Sequence, residues 1–370
     1  MKIGIIAHLK HPVKQPFAGG LEVFTFEITR RLQQRGHDVI LFASESSDEN
    51  LPLISILSDK HYDNKTGARQ KVKDMSSEYV AEHHAYYRLM LTMDDYNFDI
   101  VFNNSLHYIP ITMANMIQTP MVTVLHTPPF YELNLAIRAE QKQPCNNYYT
   151  VSNTNANSWK NALQECGVVY NGIDLSRWIF YGDTLQEDYV VWFGRIHPDK
   201  GLEYAIKAAK IANIPLKIAG GIGDKSYYLN KIEPLLNDHV QMLGLLGHNE
   251  LNALIGKAKV CLVTPVWQEP FGLVVVEAMA CGTPIAGFEM GALPEIINSK
   301  VGCLVPFGNI EELSKAILEA KKLNRKEVRK YCEDNFHIEK MIDQYEEILQ
   351  NHIDSFVQFK HKGFVNTIDL

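Results

Sequence analysis

The densest chemistry in the sequence lies in the run Thr264-Pro-Val-Trp-Gln-Glu-Pro-Phe-Gly-Leu-Val-Val-Val-Glu-Ala-Met-Ala-Cys-Gly-Thr-Pro284, where Glu269 and Glu277 bracket Pro-Phe-Gly. Paired carboxylates in sugar chemistry ordinarily read as a general acid and a base or nucleophile. The setting argues for a different division. Thr264 to Gly272 reads as a loop after a strand and the apolar run from Leu273 as a helix, so Glu277 stands on a helix that is otherwise almost wholly apolar. An ionised carboxylate there needs hydrogen-bond donors to offset its desolvation, and a pair of ribose hydroxyls supplies two. Glu269 precedes the helix. The backbone N–H groups of Phe271, Gly272 and Leu273 lie at its amino end, which favours a phosphate. At a rise of about 1.5 Å per residue, Glu277 falls within about two turns of that end. The two acids are expected to flank a diphosphate, Glu269 on neutral sugar and Glu277 on ribose. Taken singly, either glutamate has an alternative reading as the structural partner of an arginine or a backbone amide.

A second charged cluster, Arg195 and Lys200 in Trp192-Phe-Gly-Arg-Ile-His-Pro-Asp-Lys-Gly201, follows a strand and leads into a helix. Ligands of open α/β sheets gather at the carboxyl ends of strands, and two cations there suit a diphosphate. For this segment alone, a solvated loop with ordinary charges is the competing reading. His126 closes the strand Met121-Val-Thr-Val-Leu125, where it either faces a ligand or is a satisfied structural histidine. Other candidates fail on context. Gly220-Gly-Ile-Gly223 lacks the full Gly-x-Gly-x-x-Gly spacing and reads as a tight turn. His83 and His84 are adjacent and cannot face one metal from a regular helix, so they read as a surface pair. Asp-x-Asp is absent from the sequence, and no metal site is expected.

The elements that position these residues form two series of alternating strands and helices, the pattern of repeated βα units around parallel sheets. In the first, strands at Lys2 to His8, Asp38 to Ala43, Ile100 to Asn103, Met121 to Leu125 and Tyr148 to Ser152 accompany a helix from about Leu21 to Arg35. The second has strands at Tyr189 to Phe193, Leu216 to Ala219, Val240 to Leu243, Val260 to Thr264 and Pro284 to Gly287. Its helices run over Leu202 to Ala212, Asn249 to Ala258 and Leu273 to Cys281. A join is expected near Val169 to Asp183. This gives domains at 1–170 and 171–352, with 353–370 packing back onto the first after a helix from about Ile338 to His352. The polar segment from Ser46 to Lys73 reads as an insertion.

At 370 residues the chain exceeds the usual size of one hydrophobic core. A formal net charge of -7 argues against a nucleic-acid partner bound through a broadly basic surface. The six cysteines show no Cys-x-x-Cys pair and read as reduced thiols of a cytoplasmic protein. The amino-terminal apolar run is too short for a signal peptide and no stretch reaches the ~18 apolar residues that span a bilayer, so any membrane contact is expected to be peripheral, at its inner face.

In combination, Gly19-Gly20-Leu-Glu22, Gly194-Arg-Ile-His-Pro-Asp-Lys-Gly201, Glu269 to Glu277 and Gly291-Ala-Leu-Pro-Glu295 make the chain resemble the family 4 retaining glycosyltransferases, also described as glycosyl transferases group 1. The resemblance covers nearly the whole chain. It implies the α/β GT-B fold, in which two doubly wound Rossmann-like domains face each other across a cleft, with the nucleotide sugar on the carboxyl-terminal domain and the acceptor on the amino-terminal one. It implies that Arg195 and Lys200 neutralise the donor diphosphate, that Glu269 binds the transferred sugar and Glu277 the ribose, and that the backbone of Phe271, Gly272 and Leu273 touches sugar or phosphate. Gly19 and Gly20 match the family's first-domain loop near the donor phosphates, and a histidine at position 126 would contact the donor sugar. Asn171-Gly-Ile-Asp174 resembles its linker and is expected to act as a hinge. The implied reaction is metal-free transfer with retention, by front-face attack, from a UDP-sugar carrying glucose or N-acetylglucosamine, with GDP-mannose as the alternative. The acceptor is left open among a glycan, a lipid-linked saccharide and a small molecule. A nucleotide-sugar sensor, an epimerase or a phosphorylase on the same fold are the competing functions.

Overall fold

Short runs rich in Val, Ile, Leu and Phe, buried on both faces, form the central strands of two parallel sheets, and more polar, partly exposed runs form the outer ones. The computed structural model describes residues 1–58, 76–141, 145–182 and 186–365, with side chains through residue 357. The chain divides into two units: residues 1–151, 156–169 and those from Ile342 on form the first, and 152–155 with 170–341 form the second.

The first sheet contains β1 (Lys2–Ala7), β2 (Asp38–Ser44), β3 (Leu53–Leu57), β4 (Ile100–Asn104), β5 (Met121–Leu125), β6 (Asn146–Thr150) and β7 (Gly167–Val168), ordered β3-β2-β1-β4-β5-β6-β7. The second contains β8 (Val190–Phe193), β9 (Leu216–Ala219), β10 (Val240–Gly244), β11 (Val260–Val263), β12 (Ile285–Phe288) and β13 (Gly302–Val305), ordered β10-β9-β8-β11-β12-β13. The pairings between these strands are parallel. Chain order reverses between β1 and β4 in one sheet and between β8 and β11 in the other. Such switch points leave a crevice outside the carboxyl ends of the strands, where ligands of doubly wound sheets bind.

Three strands escape the sequence pattern. β3 lies inside the stretch read as a polar insertion and pairs Leu53 with Leu41 of β2. β7 is two residues long, and β13 is a four-residue run holding a glycine and a cysteine. The tail differs too: a single helix runs from Ile338 to Val365. Met341, Ile342, Tyr345 and Leu349 are buried along it at helical spacing. Asp343 bonds Arg35 at 2.7 Å and Glu346 bonds His37 at 2.6 Å, so the tail joins the first unit from Ile342 rather than from 353. Of the sequence expectations, residues 59–73 of the polar segment, Asp183 and residues 366–370 of the tail lie outside the described residues.

Asn171 to Asp174 is not a free hinge within the second unit. Ile173 bridges His337 in parallel, donating to the Phe336 carbonyl at 2.7 Å and accepting from Ile338 at 3.0 Å. A Cβ on Gly172 would come within 2.6 Å of the Ile338 Cα. Residues 152–155 join this unit because the Glu295 carboxylate accepts from the Asn153 backbone at 2.9 Å and the Thr154 backbone at 2.5 Å, and from the Tyr170 hydroxyl at 3.1 Å. Burial alone would raise the Glu295 pKa, but these donors outweigh it and hold the carboxyl below its usual range.

Candidate active site

In the second unit the loops after β8 and β11, which flank its switch point, carry Arg195, Lys200 and Glu269. The β8 loop ends at Gly201, whose φ of 59° places it in the left-handed region and whose missing Cβ would meet the Thr264 carbonyl oxygen at 2.2 Å. Thr264 donates its hydroxyl to the Gly201 carbonyl at 3.0 Å, and the Val266 N–H donates to the Asp199 carbonyl at 2.9 Å. The two loops are therefore stitched to each other before any side chain reaches a ligand.

Across that seam Lys200 Nζ donates to Glu269 Oε2 at 2.6 Å. The Trp267 indole N–H donates to the same oxygen at 3.0 Å, and the Lys200 ammonium sits 5.1 Å from the Trp267 ring centroid. Both bonds land on Oε2, leaving Oε1 open to a ligand's hydroxyls, while Lys200 retains two further N–H donors. The Glu269 backbone is held as well: Ala292 donates to its carbonyl at 2.9 Å, and Gly291, with φ 58°, has no room for a Cβ within 2.2 Å of that oxygen. Trp267 is the member of this site that sequence reading passed over. An indole donor two residues before Glu269 was the available signal.

Arg195 is half-exposed, 3.4 Å from Asp199, and its alkyl chain lies over Gly223, where a Cβ would approach within 2.6 Å of its Cγ. Gly220 abuts the Gly194 carbonyl in the same way, at 1.8 Å from a Cβ. The Gly220 to Gly223 turn thus seats the loop that bears Arg195.

Helix Leu273–Ala280 begins after Gly272, which has φ 90° and no capping side chain; the Val275 N–H donates to the Gly272 carbonyl at 2.9 Å, and the N–H groups of Leu273 and Val274 are left to a ligand or water. Phe271 is 3 % exposed, packed between Tyr170 and Phe336 at 6.2 and 6.0 Å, and only its backbone can face the site. Glu277 keeps a narrow opening to solvent, yet burial pushes its carboxyl up to about 7, against the opposing pull of Arg177. No hydrogen bond among the described residues reaches that carboxylate.

In the first unit His126 follows β5 and bonds Asn104 Oδ1 through Nε2. The Asn104 amide donates to Thr25 Oγ1 at 2.6 Å, so the Asn104 oxygen accepts and the His126 proton is assigned to Nε2. Burial, with His8 adding repulsion, pushes His126 down to about 3, and the ring is neutral. Helix Gly20–Gln34 starts at Gly20 after an extended Gly19 with no capping side chain. Its positive end is already shared: Glu22 is buried in the first turn, and the Gly19 Cβ position lies 3.2 Å from that carboxylate. Burial works to raise the Glu22 pKa, but His8 and the helix backbone outweigh it and hold the carboxyl low.

The described residues contain no group of three or more His, Cys, Asp or Glu side chains poised to hold a metal, and no helix long and apolar enough to cross a membrane. All six cysteines are free.

The family model described as Glycosyl transferases group 1 matches residues 182–336, and that of Glycosyltransferase Family 4 matches residues 18–177. An uncharacterized glycosyltransferase of Methanocaldococcus jannaschii is 32% identical over 45% of this chain and 46% of its own length. Glycogen synthase of Mycobacterium tuberculosis is 33% identical over 38% of this chain and 36% of its own length. The chain thus spans less than half the length of these curated relatives. Among solved structures, sucrose-phosphate synthase from Thermosynechococcus elongatus superposes with a TM-score of 0.73 at 19% identity, over 96% of this chain and 99% of that one. HepE of Anabaena, in complex with UDP and glucose, superposes at 0.73 and 18% identity over 95% and 100%. These likenesses identify the fold as GT-B.

Proposed function

The chain belongs to the group 1, family 4 glycosyltransferases, and from that premise we propose that it transfers a hexosyl or N-acetylhexosaminyl group from a nucleotide-diphosphate sugar to an acceptor hydroxyl. UDP-sugars are the favoured donors, in keeping with the UDP and UDP-glucose complexes of the neighbouring HepE structures. The observation that carries the reading is the Lys200, Trp267 and Glu269 knot beside an uncapped helix end, with the unpartnered Glu277 carboxylate one turn into that helix.

In the proposed complex the diphosphate lies against the first-turn N–H groups of Leu273–Ala280, with Lys200 and Arg195 supplying positive charge. Oε1 of Glu269 accepts from hydroxyls of the transferred sugar. Glu277 accepts from the two ribose hydroxyls, which replace the donors the protein does not provide. The acceptor oxygen attacks the anomeric carbon from the face on which the diphosphate departs. The bond from that carbon to the β-phosphate oxygen breaks, and the acceptor hydroxyl proton passes to the departing phosphate oxygen. The configuration is retained. Preorganised cations and backbone dipoles stabilise the leaving group without a metal.

Lys200 must serve two anions, and its ion pair with Glu269 supports this: a shared ammonium ties sugar recognition to leaving-group stabilisation. Substituting each glutamate separates the roles. Glu269→Ala is expected to abolish transfer while UDP binding, read by calorimetry, stays within about threefold, whereas Glu277→Ala weakens UDP binding about tenfold or more. Equal losses of UDP affinity in both variants would contradict the assignment.

A further inference from the structure

We propose that His8, Tyr79, Glu82, His83, His107 and Tyr108 of the first unit form the acceptor subsite, over the carboxyl ends of β1 and β4, and that this subsite takes an uncharged sugar ring. The proposal deepens the glycosyl-transfer reading and rests on it.

The position is that of the first sheet's switch point. His8 directly follows β1, and His107 lies three residues beyond β4. Helix Ser77–Leu91 is fastened over this end by the Tyr86 hydroxyl, which donates to the Ala7 carbonyl at 2.8 Å. That bond brings Tyr79, Glu82 and His83 to residues far away in sequence.

The floor of the subsite contains polar atoms the protein leaves unmet. His107 is 7% exposed, and its Nδ1 accepts from the Ile109 N–H at 3.2 Å, so the neutral ring carries its proton on Nε2. That Nε2 is buried without a hydrogen-bond partner, as is Nδ1 of His8, whose nearest carboxylate oxygen, on Glu22, is 3.7 Å away. Buried polar groups are nearly always paired, and the unpaired His107 N–H, beside a His8 nitrogen engaged only by its ion pair with Glu22, marks a place for an incoming acceptor. Burial holds His107 at about 4, so at neutral pH it offers an uncharged N–H. The half-buried Glu82 carboxylate receives no hydrogen bond among the described residues, and burial raises its pKa although His8 and Lys10 pull it down.

The walls are aromatic. Tyr108 stacks on His107 at 4.7 Å and bonds His83 Nδ1 at 2.5 Å through its hydroxyl, while Tyr79 lies 6.1 Å from His107 with 43% of its surface exposed. An aromatic face beside a carboxylate and a neutral imidazole matches the apolar face and the hydroxyl edge of a sugar. A phosphate-bearing acceptor requires clustered arginine or lysine, preferably in bidentate geometry. Here Lys10 is outnumbered by Glu22, Glu78 and Glu82.

The test is saturation-transfer NMR on the full chain with methyl α-glucoside, methyl α-mannoside and methyl N-acetyl-β-glucosaminide, against glycerol 3-phosphate and inositol phosphate, each with UDP present. Tyr79→Ala alters an exposed side chain and Glu82→Gln a half-buried one that is not part of the apolar core, and UDP-glucose binding is measured on the same samples. Expected is transfer to ring protons of at least one glycoside, with its affinity reduced about tenfold in each variant and UDP-glucose binding unchanged. Signals from the phosphates alone, glycoside signals insensitive to both variants, or no glycoside signal while UDP-glucose binds would each overturn the proposal and leave the donor reading standing. Glycoside binding that depends on Tyr79 and Glu82 in a chain that binds no nucleotide sugar would support the sugar subsite and refute the donor reading.

Discussion

At the residue scale the site is held by few atoms, and their removal has distinct signatures. Trp267→Phe keeps the ring over Lys200 but deletes the N–H that meets Glu269 at 3.0 Å. Turnover is expected to fall about tenfold with UDP affinity unchanged, because a hydrogen bond to a charged group contributes roughly 1.5–3 kcal/mol. A parallel loss of UDP binding in calorimetry would mean that Trp267 supports the fold rather than Glu269. Glu277 adds a pH dependence. Its carboxyl titrates at about 7 in the folded chain against an ordinary 4.5, so folding favours the protonated form. Below the ordinary value this has no effect; as pH rises from there through 7, the unfolded chain ionises first and stability falls, by up to about 3 kcal/mol. Glu277→Gln is therefore expected to melt above the parent at pH 8 and with it at pH 4, and a lower melting temperature at pH 8 would refute the assignment. UDP affinity should move oppositely, tightening as pH rises through 7, since in the proposed complex the ribose hydroxyls donate to the ionised carboxylate.

At the element scale the two loops at the second switch point act as one body, joined at Gly201 and Thr264. Gly201→Ala places a Cβ 2.2 Å from a carbonyl oxygen at a positive φ. It should lower the melting temperature and reduce turnover more than tenfold, whereas Gly221→Ala, where a Cβ meets nothing within 4 Å, should change neither. Comparable losses in both would show that the seam does not position the site. Met121–Leu125 was readable to the residue because burial on both faces leaves a nearly continuous apolar signature. β3 was not, because its five residues adjoin a polar stretch that dominates the local composition. The tail helix was cut short in the sequence reading because no residue from 350 to 357 is buried along it, which leaves no core-facing stripe to read.

At the scale of the whole molecule, two doubly wound units with matching strand order explain why the candidate residues fall where they do: in each, they lie on the loops at the order reversal. The placement of the second unit's candidate residues was legible, since Arg195, Lys200, Glu269 and Glu277 are polar residues set against apolar strands and helices. Three aspects were not legible. The pairing of Lys200 with Glu269 joins loops 69 residues apart, Trp267 looks like any buried aromatic until its N–H is placed, and His83 reads as a surface residue until Tyr108 is folded against it. The central claim is that Lys200 and Glu269 act together on a nucleotide-diphosphate sugar. Its most direct test is nucleoside-diphosphate release from UDP-, GDP- and ADP-sugars by the parent chain and by Lys200→Ala. Release of UDP from a UDP-sugar, lost in Lys200→Ala while UDP still binds, is the expected result; tight binding of a nucleotide sugar with no release by the parent chain, with or without saccharide acceptors, would contradict it.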